Sequence, residues 1–231
     1  MRLSFLMAAV VIALVSTASA APLCLTGGTL ASYQTLGSGG CMIGDLLFSN
    51  FSYVGTSLGQ GNTVANTQVL LTPVGSGTLN PGPGIIFSST GWNVPRGANN
   101  TDSFVDSTIG FIVSTISGNP VIGDGTLTLS SFTVTGTGVG HIAETINATP
   151  LQVDSGGPSV SHQVFALTNT VTVSKDLRVT VPTGNPNSGT AQINSFEEDF
   201  SEVVPEPATS FLLASGLLAL GFWRRGAERR S

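Results

Sequence analysis

The chain has 231 residues, a formal net charge of −5, and only 9% charged against 41% hydrophobic residues. An acidic balance excludes a partner held by phosphate contacts, so no nucleic acid is expected. Two histidines and two cysteines leave little material for a metal centre, and neither a metal nor a cofactor is predicted.

In chain order, Arg2, the apolar run Leu3 to Val15 and the small residues Ala18-Ser19-Ala20 have the form of a signal peptide over residues 1–20. Its cleavage is predicted between Ala20 and Ala21. The apolar run is short and closes in Ser16, Thr17 and Ser19, which argues against a retained membrane helix. Export delivers the rest to an oxidising compartment, where Cys24 and Cys41 read as one disulfide. Closing that 17-residue separation contributes about 3 kcal/mol in the chain-entropy description. It would staple a stretch whose Gly27-Gly28 and Gly37-Ser38-Gly39-Gly40 clusters otherwise suggest a loose loop.

Residues 21–200 are predicted to form one all-β ectodomain, a single β-sandwich or jelly-roll-like fold. The dominant period is two: Phe48, Asn50, Ser52 and Val54 alternate with Leu47, Ser49, Phe51 and Tyr53, and Val171, Val173, Leu177, Val179 and Val181 keep one parity. Further strands are predicted at Thr67 to Val74, Gly84 to Phe87, Phe104 to Ile116, Val160 to Thr168 and Thr190 to Phe196. Between Gly125 and Thr135 the apolar parity switches from Leu127 and Leu129 to Phe132 and Val134, which predicts a bulge near Ser130-Ser131. Turn signals such as Gly123-Asp124-Gly125 and Pro182-Thr183-Gly184-Asn185-Pro186 divide the runs at sandwich-like spacing.

The polar residues offer few sites. His141 and His162, with Ser161 or Asp154, could outline a hydrolase triad, but a lone histidine in an alternating strand is usually structural. No catalytic residue is assigned, and the chain is read as a non-enzyme. Asp102, Asp106 and Asp124 could offer oxygen ligands to calcium, but turn capping is the simpler reading. The run Glu197-Glu198-Asp199 with Glu202 reads as a solvated strip. Only Arg96, Lys175 and Arg178 are basic between residues 21 and 204, against eleven carboxylates, a net charge of −8 for that region.

The tail divides into a linker (201–207) with Pro205-Glu206-Pro207, an apolar run (208–223) and a basic end (224–231). As a helix, the 16 residues of the apolar run span about 24 Å, short of a ~30 Å hydrocarbon core. Apolar residues occur on every face, so a short transmembrane helix is predicted rather than a core helix. Arg224, Arg225, Arg229 and Arg230 would hold the end in the cytoplasm.

Val204-Pro205-Glu206-Pro207-Ala208-Thr209, the short Leu- and Gly-containing apolar stretch, and Trp223-Arg224-Arg225 together resemble the PEP-CTERM sorting signal of exported bacterial proteins. The resemblance implies recognition of Pro205, Glu206 and Pro207 by an exosortase, a membrane-embedded cysteine transpeptidase, with the chain as its substrate. Processing partners would be signal peptidase and exosortase, with the inner membrane holding the precursor transiently. The product would reach the cell surface or the extracellular matrix, where extracellular polysaccharide is the expected neighbour. Cys41 to Asp45, Phe48 to Tyr53, Ser174 to Asp176 and Ile193 to Phe196 are similar to segments of other ectodomains carrying this tail, a likeness that transfers no activity. A structural, matrix-associated role is expected first. A carbohydrate-binding module using Trp92, Tyr33 and Tyr53 comes second, and an envelope hydrolase third.

Overall fold

The computed structural model describes residues 21–75, 82–96, 101–116, 121–183 and 189–203. The sorting tail from Val204 onward and the signal peptide through Ala20 lie outside the described residues, so the predicted membrane helix does too.

Two antiparallel sheets face each other. The first takes β2 (Cys41–Ile43), β3 (Leu46–Leu58), β7 (Ser103–Thr115), β9 (Val139–Ile146), β10 (Thr149–Asp154) and β12 (Thr170–Val181), in the order β10-β9-β12-β7-β3-β2. The second takes β1 (Gly28–Thr29), β4 (Leu70–Val74), β5 (Gly84–Ser88), β8 (Val121–Gly136), β11 (Val160–Thr168) and β13 (Gly189–Val203), in the order β1-β4-β5-β13-β8-β11, with β6 (Asn93–Val94) also pairing β13. The all-β sandwich read from the period-two pattern is the fold observed.

Alternation explains which side chains make the core. In β12, Val171, Val173, Leu177, Val179 and Val181 all point inward, and Thr172, Ser174, Asp176 and Arg178 point out. The strand pairs with β7 without interruption from Thr170↔Ser114 to Val181↔Ser103. Facing it across the sandwich, β13 contributes Ala191, Ile193, Phe196 and Phe200, each fully buried. The rings of Phe87 and Phe196 stack at 5.0 Å, Phe51 and Phe111 at 5.5 Å, and Trp92 leans on Phe196 at 5.6 Å. Each such pair adds about 0.5–1.5 kcal/mol beyond its buried area.

The pattern breaks where expected in β8 and β13, and also at places the sequence did not announce, among them β11 between Val164 and Thr168 and β3. The register between β8 and β13 shifts around Ser131↔Ser195, at the bulge predicted near Ser130-Ser131. In β3 the irregularity lies between Ser49 and Ser52, where Asn50 adopts φ +54°. Strict alternation would put Phe48 and Phe51 on opposite faces, and this bulge turns both inward.

The N-terminal segment is a strap across the β2 edge. Helix α1 (Leu30–Gln34) has five residues, too few to hold itself, and is capped by the Thr29 hydroxyl accepting from the Ser32 amide at 3.2 Å. Buried Leu30 and Tyr33 seat it, and the Tyr33 hydroxyl donates to the Leu25 carbonyl at 2.7 Å. Cys24 and Cys41 form the expected disulfide, with Cα atoms 4.8 Å apart, tying the strap to β2.

Candidate functional site

Three inward-facing alternations are each interrupted by a charge. Glu144 stands between Ile142 and Ile146 in β9, Lys175 between Val173 and Leu177 in β12, and Glu198 between Phe196 and Phe200 in β13. The pleat therefore sends all three into the sandwich, where their exposures are 2%, 0% and 0%. Lys175 and Glu144 are directly opposite in the β12–β9 register, and Glu198 reaches them from the facing sheet. The Lys175 Nζ donates to Glu144 Oε2, and to Glu198 Oε2 at 2.7 Å. It also lies 5.8 Å from the centre of the Phe111 ring and 5.7 Å from that of Phe196. Gly125 of β8 leaves room beside the cluster: a Cβ there would collide with Ile146 and stand 3.3 Å from Glu198 Oε1.

The electrostatics of this cluster are set by desolvation. Burial pushes the Lys175 amine below its ordinary range, opposed by Glu198, and pushes the Glu198 carboxyl up to about 7, opposed by Lys175. Fully ionised, the trio would carry one negative charge in excess. The second oxygens of Glu144 and Glu198, both Oε1, have no hydrogen-bond partner. The sequence does not bring these three together: Lys175 stands out there only as one of three basic residues of the ectodomain and within a short likeness to others, and Glu198 only within the acidic run. The available signal was phase: each occupies a position where alternation calls for an apolar side chain. Glu198 in particular corrects the reading of residues 197–199 as a solvated strip, because neighbours in a strand face opposite ways. Glu202, also in that strip, is 8% exposed, and burial together with Asp45 raises its carboxyl to about 8.

The other candidates fall apart or prove structural. His141 Nδ1 meets Asp154 Oδ1 at 2.5 Å; burial opposes it, but hydrogen bonds from His141 and Gln152 hold the Asp154 carboxyl below its usual range. His162 lies 3.6 Å from Asp124 instead, and the Ser161 hydroxyl accepts from the Gln152 amide at 3.4 Å. Gly55-Thr56-Ser57-Leu58-Gly59 has the spacing of a nucleophile elbow, but Ser57 sits within β3, not at a strand-to-helix turn, and bonds Thr63 at 2.8 Å. Asp102 accepts from the Thr183 amide at 2.7 Å, as a turn-capping side chain does. Asp106 is raised by burial and by Asp176, partly offset by Arg178. Among the described residues no group of three or more His, Cys, Asp or Glu is placed to hold a metal.

The aromatic residues proposed for ligand stacking are mostly interior. Trp92 is fully buried, donating from Nε1 to the Ser107 hydroxyl at 3.1 Å, and Tyr33 is 2% exposed. Half-buried Tyr53 donates to the Val64 carbonyl at 2.9 Å. Among the described residues the exposed aromatic ring is that of Phe132. A groove of about 520 Å³ does open beside β9, β10 and β12, its lining mixing Thr145, Gln152, Ser161 and Asp176 with the apolar Pro150 and Leu151.

Pro205, Glu206, Pro207, Arg224, Arg225, Arg229 and Arg230 lie outside the described residues. Residues 203–225 match the PEP-CTERM protein-sorting motif. The chain carries a PEP-CTERM sorting signal. That signal is the one exosortase substrates bear, and it implies export with a C-terminal membrane anchor before processing. No curated protein matches the chain. Similar solved structures include TmCBM61 in complex with β-1,4-galactotriose, at 7% identity over 66% of this chain and 88% of that one, TM-score 0.27. The CBM36-1 domain of a multidomain xylanase from the hindgut metagenome of Trinervitermes trinervoides aligns at 15% identity over 67% of this chain and all of that one, TM-score 0.21. A GH31 α-xylosidase from Xanthomonas citri aligns at 8% identity over 64% of this chain and 23% of that one, TM-score 0.20.

Proposed function

We propose that this chain is an exported surface protein with a structural, matrix-associated role, released from a transient inner-membrane anchor by exosortase cleavage at Pro205-Glu206-Pro207. The observation that carries the reading is the PEP-CTERM motif at residues 203–225, which begins on the last residue of β13. Signal peptidase cuts between Ala20 and Ala21, and Arg224, Arg225, Arg229 and Arg230 keep the tail end cytoplasmic until processing. The inward-turned aromatic residues and weakly charged outer surface suit a building block of a polysaccharide-rich layer better than a stacking platform for a sugar. In this role the chain performs no turnover on an external substrate.

Replacing Pro205, Glu206 and Pro207 with Ala leaves export intact and traps the full-length chain in the inner membrane. The check is the C-terminal peptide of protein recovered from the cell surface. A wild-type surface form still ending at Ser231 would refute processing and turn the tail into a permanent anchor. A second reading, glycan binding, draws support from the groove beside β9, β10 and β12, where hydroxyls, an amide and a carboxylate of the kind that hydrogen-bond a sugar stand beside the apolar Ala143, Pro150 and Leu151. A glycan array probed with the full chain and with Gln152→Ala separates the two; uniform failure of both proteins to bind removes this reading.

A further inference from the structure

We infer that Lys175 and Glu144 are joined by an intramolecular isopeptide bond that the folded sandwich forms by itself, with Glu198 as the catalytic proton carrier. This goes beyond the sorting reading and does not depend on it.

The amine and the carboxyl are held as opposite members of one β-ladder, already in contact, and Glu198 touches the same Nζ from the other sheet at 2.7 Å. Nucleophile, electrophile and proton carrier are thus fixed by three strands and need no search to meet. Such fixed placement is the main source of acceleration in reactions between two held groups. Surrounding them are Phe111 and Phe196, with Ile142 and Ile146 flanking Glu144 in its strand, and none of the three polar side chains is more than 2% exposed. In water, an amine and a carboxylic acid stay apart because the released water is returned to a solvent already full of it. In this buried setting the ionised reactants lose their hydration while the neutral amide loses much less, which favours condensation.

The atoms balance without any co-reactant. A proton passes from the Lys175 ammonium to the neighbouring Glu144 carboxylate, giving a neutral amine beside a neutral acid. The Nζ lone pair then attacks Glu144 Cδ, and the nitrogen gives its surplus proton to the Glu198 carboxylate. Glu198 hands that proton to the departing hydroxyl, the Cδ–O bond breaks and one water is lost. An ammonium and a carboxylate become a secondary amide and water, and Glu198 ends as it began. Desolvation favours the attack and the uptake of the nitrogen's proton, since it lowers the Lys175 amine and raises the Glu198 carboxyl. The product also resolves the charge arrangement: two of three buried charges disappear. Glu198, when protonated, gains an amide oxygen to donate to, which relieves both of the unpartnered Oε1 atoms.

The test is peptide mass spectrometry on the full chain recovered after export, with the disulfide reduced. The expected product after proteolysis is a branched peptide joining the β9 and β12 segments, lighter by one water than its two linear components. Recovery of both linear peptides, with a free amine on Lys175 and an intact acid on Glu144, would overturn the bond. The Glu198→Gln variant should slow formation by roughly a hundredfold or more, the range of a lost general acid-base group, so that linear peptides dominate in freshly made protein. Undiminished cross-linking in Glu198→Gln would overturn the role given to Glu198. Should that variant fail to fold, the Lys175→Arg variant and the wild-type peptides still decide the matter. Lys175→Arg keeps the positive charge and must show no branched peptide, whereas a branched peptide in it would mean the linkage uses another residue.

Discussion

Cys24–Cys41 and the Lys175–Glu144–Glu198 cluster hold opposite ends of the same problem. The disulfide sits at the β2 edge, where a three-residue strand and a five-residue helix offer few hydrogen bonds of their own. The charge cluster sits in the interior of both sheets, on β9 and β12 and beneath β13, where each strand is paired on both sides. The edge is tied because it would otherwise fray. The centre, already the best-bonded part of the molecule, tolerates three groups whose burial costs several kcal/mol each before pairing. The contrast teaches that strong ladders make room for expensive chemistry, and weak ones require a covalent tie.

The largest effect expected from breaking the contrast is at the centre. Lys175→Met removes the cross-link and the one partner of two buried carboxyls; measured against the chain not yet cross-linked, it should cost on the order of 3–5 kcal/mol in urea unfolding. Adding Glu144→Leu and Glu198→Leu to it should recover most of that part of the loss, because it lies in the unpaired acids. At the edge, Cys24→Ser with Cys41→Ser should cost about 3 kcal/mol. Hydrogen exchange should quicken over residues 21–45 and stay slow in β12; equal acceleration in both would mean that the edge is no separate unit.

A smaller effect concerns Glu202, near the end of β13. Its folded carboxyl titrates at about 8, against an ordinary 4.5. Between those values the folded chain holds a proton that the unfolded chain has lost, so stability is full below about pH 4.5, falls as pH rises through 8 and is then level. The melting temperature should be higher at pH 5 than at pH 8 by roughly 5 °C, and Glu202→Gln should reduce the difference, the remainder belonging to Glu198 and Asp199, both raised to about 7. An unchanged pH profile in that variant would assign the titration elsewhere. The smallest effect is in the network between edge and centre, where the Tyr53 hydroxyl bonds Val64 and Ser107. Tyr53→Phe should cost about 1 kcal/mol, measured by the urea midpoint at constant slope.

Legibility in the sequence followed local regularity. The strands β7, β11 and β12 lie within a residue or so of their predicted spans because each carries a long run of β-branched and apolar residues of mostly constant parity. The tail was legible because a sorting signal is linear. The β9–β10 hairpin was not, since its turn is Asn147-Ala148 with φ values of +47° and +69°, where an Asn-Gly pair would have announced it. Trp92 and Tyr33 were taken for surface residues because each lies in a short element with no period from which burial can be read. The candidate cluster escaped for a different reason. Glu144 is 31 residues from Lys175, and Glu198 is 23 residues from it on the opposite sheet, so no local pattern pairs them.

The position of β13 has a mechanical consequence. It is the last described strand, yet it lies in the interior of its sheet, pairing with β8 from Gly189↔Gly136 to Val203↔Val121 and with β5 on its other side. A chain tethered beyond Val203 passes its load into this strand, and because β13 is bonded on both sides its release requires breaking the ladders to β8 and to β5. Under tension the lifetime of the folded state is governed by its unfolding rate rather than by its equilibrium stability, and a tether at the tail therefore pulls on the strand least able to leave.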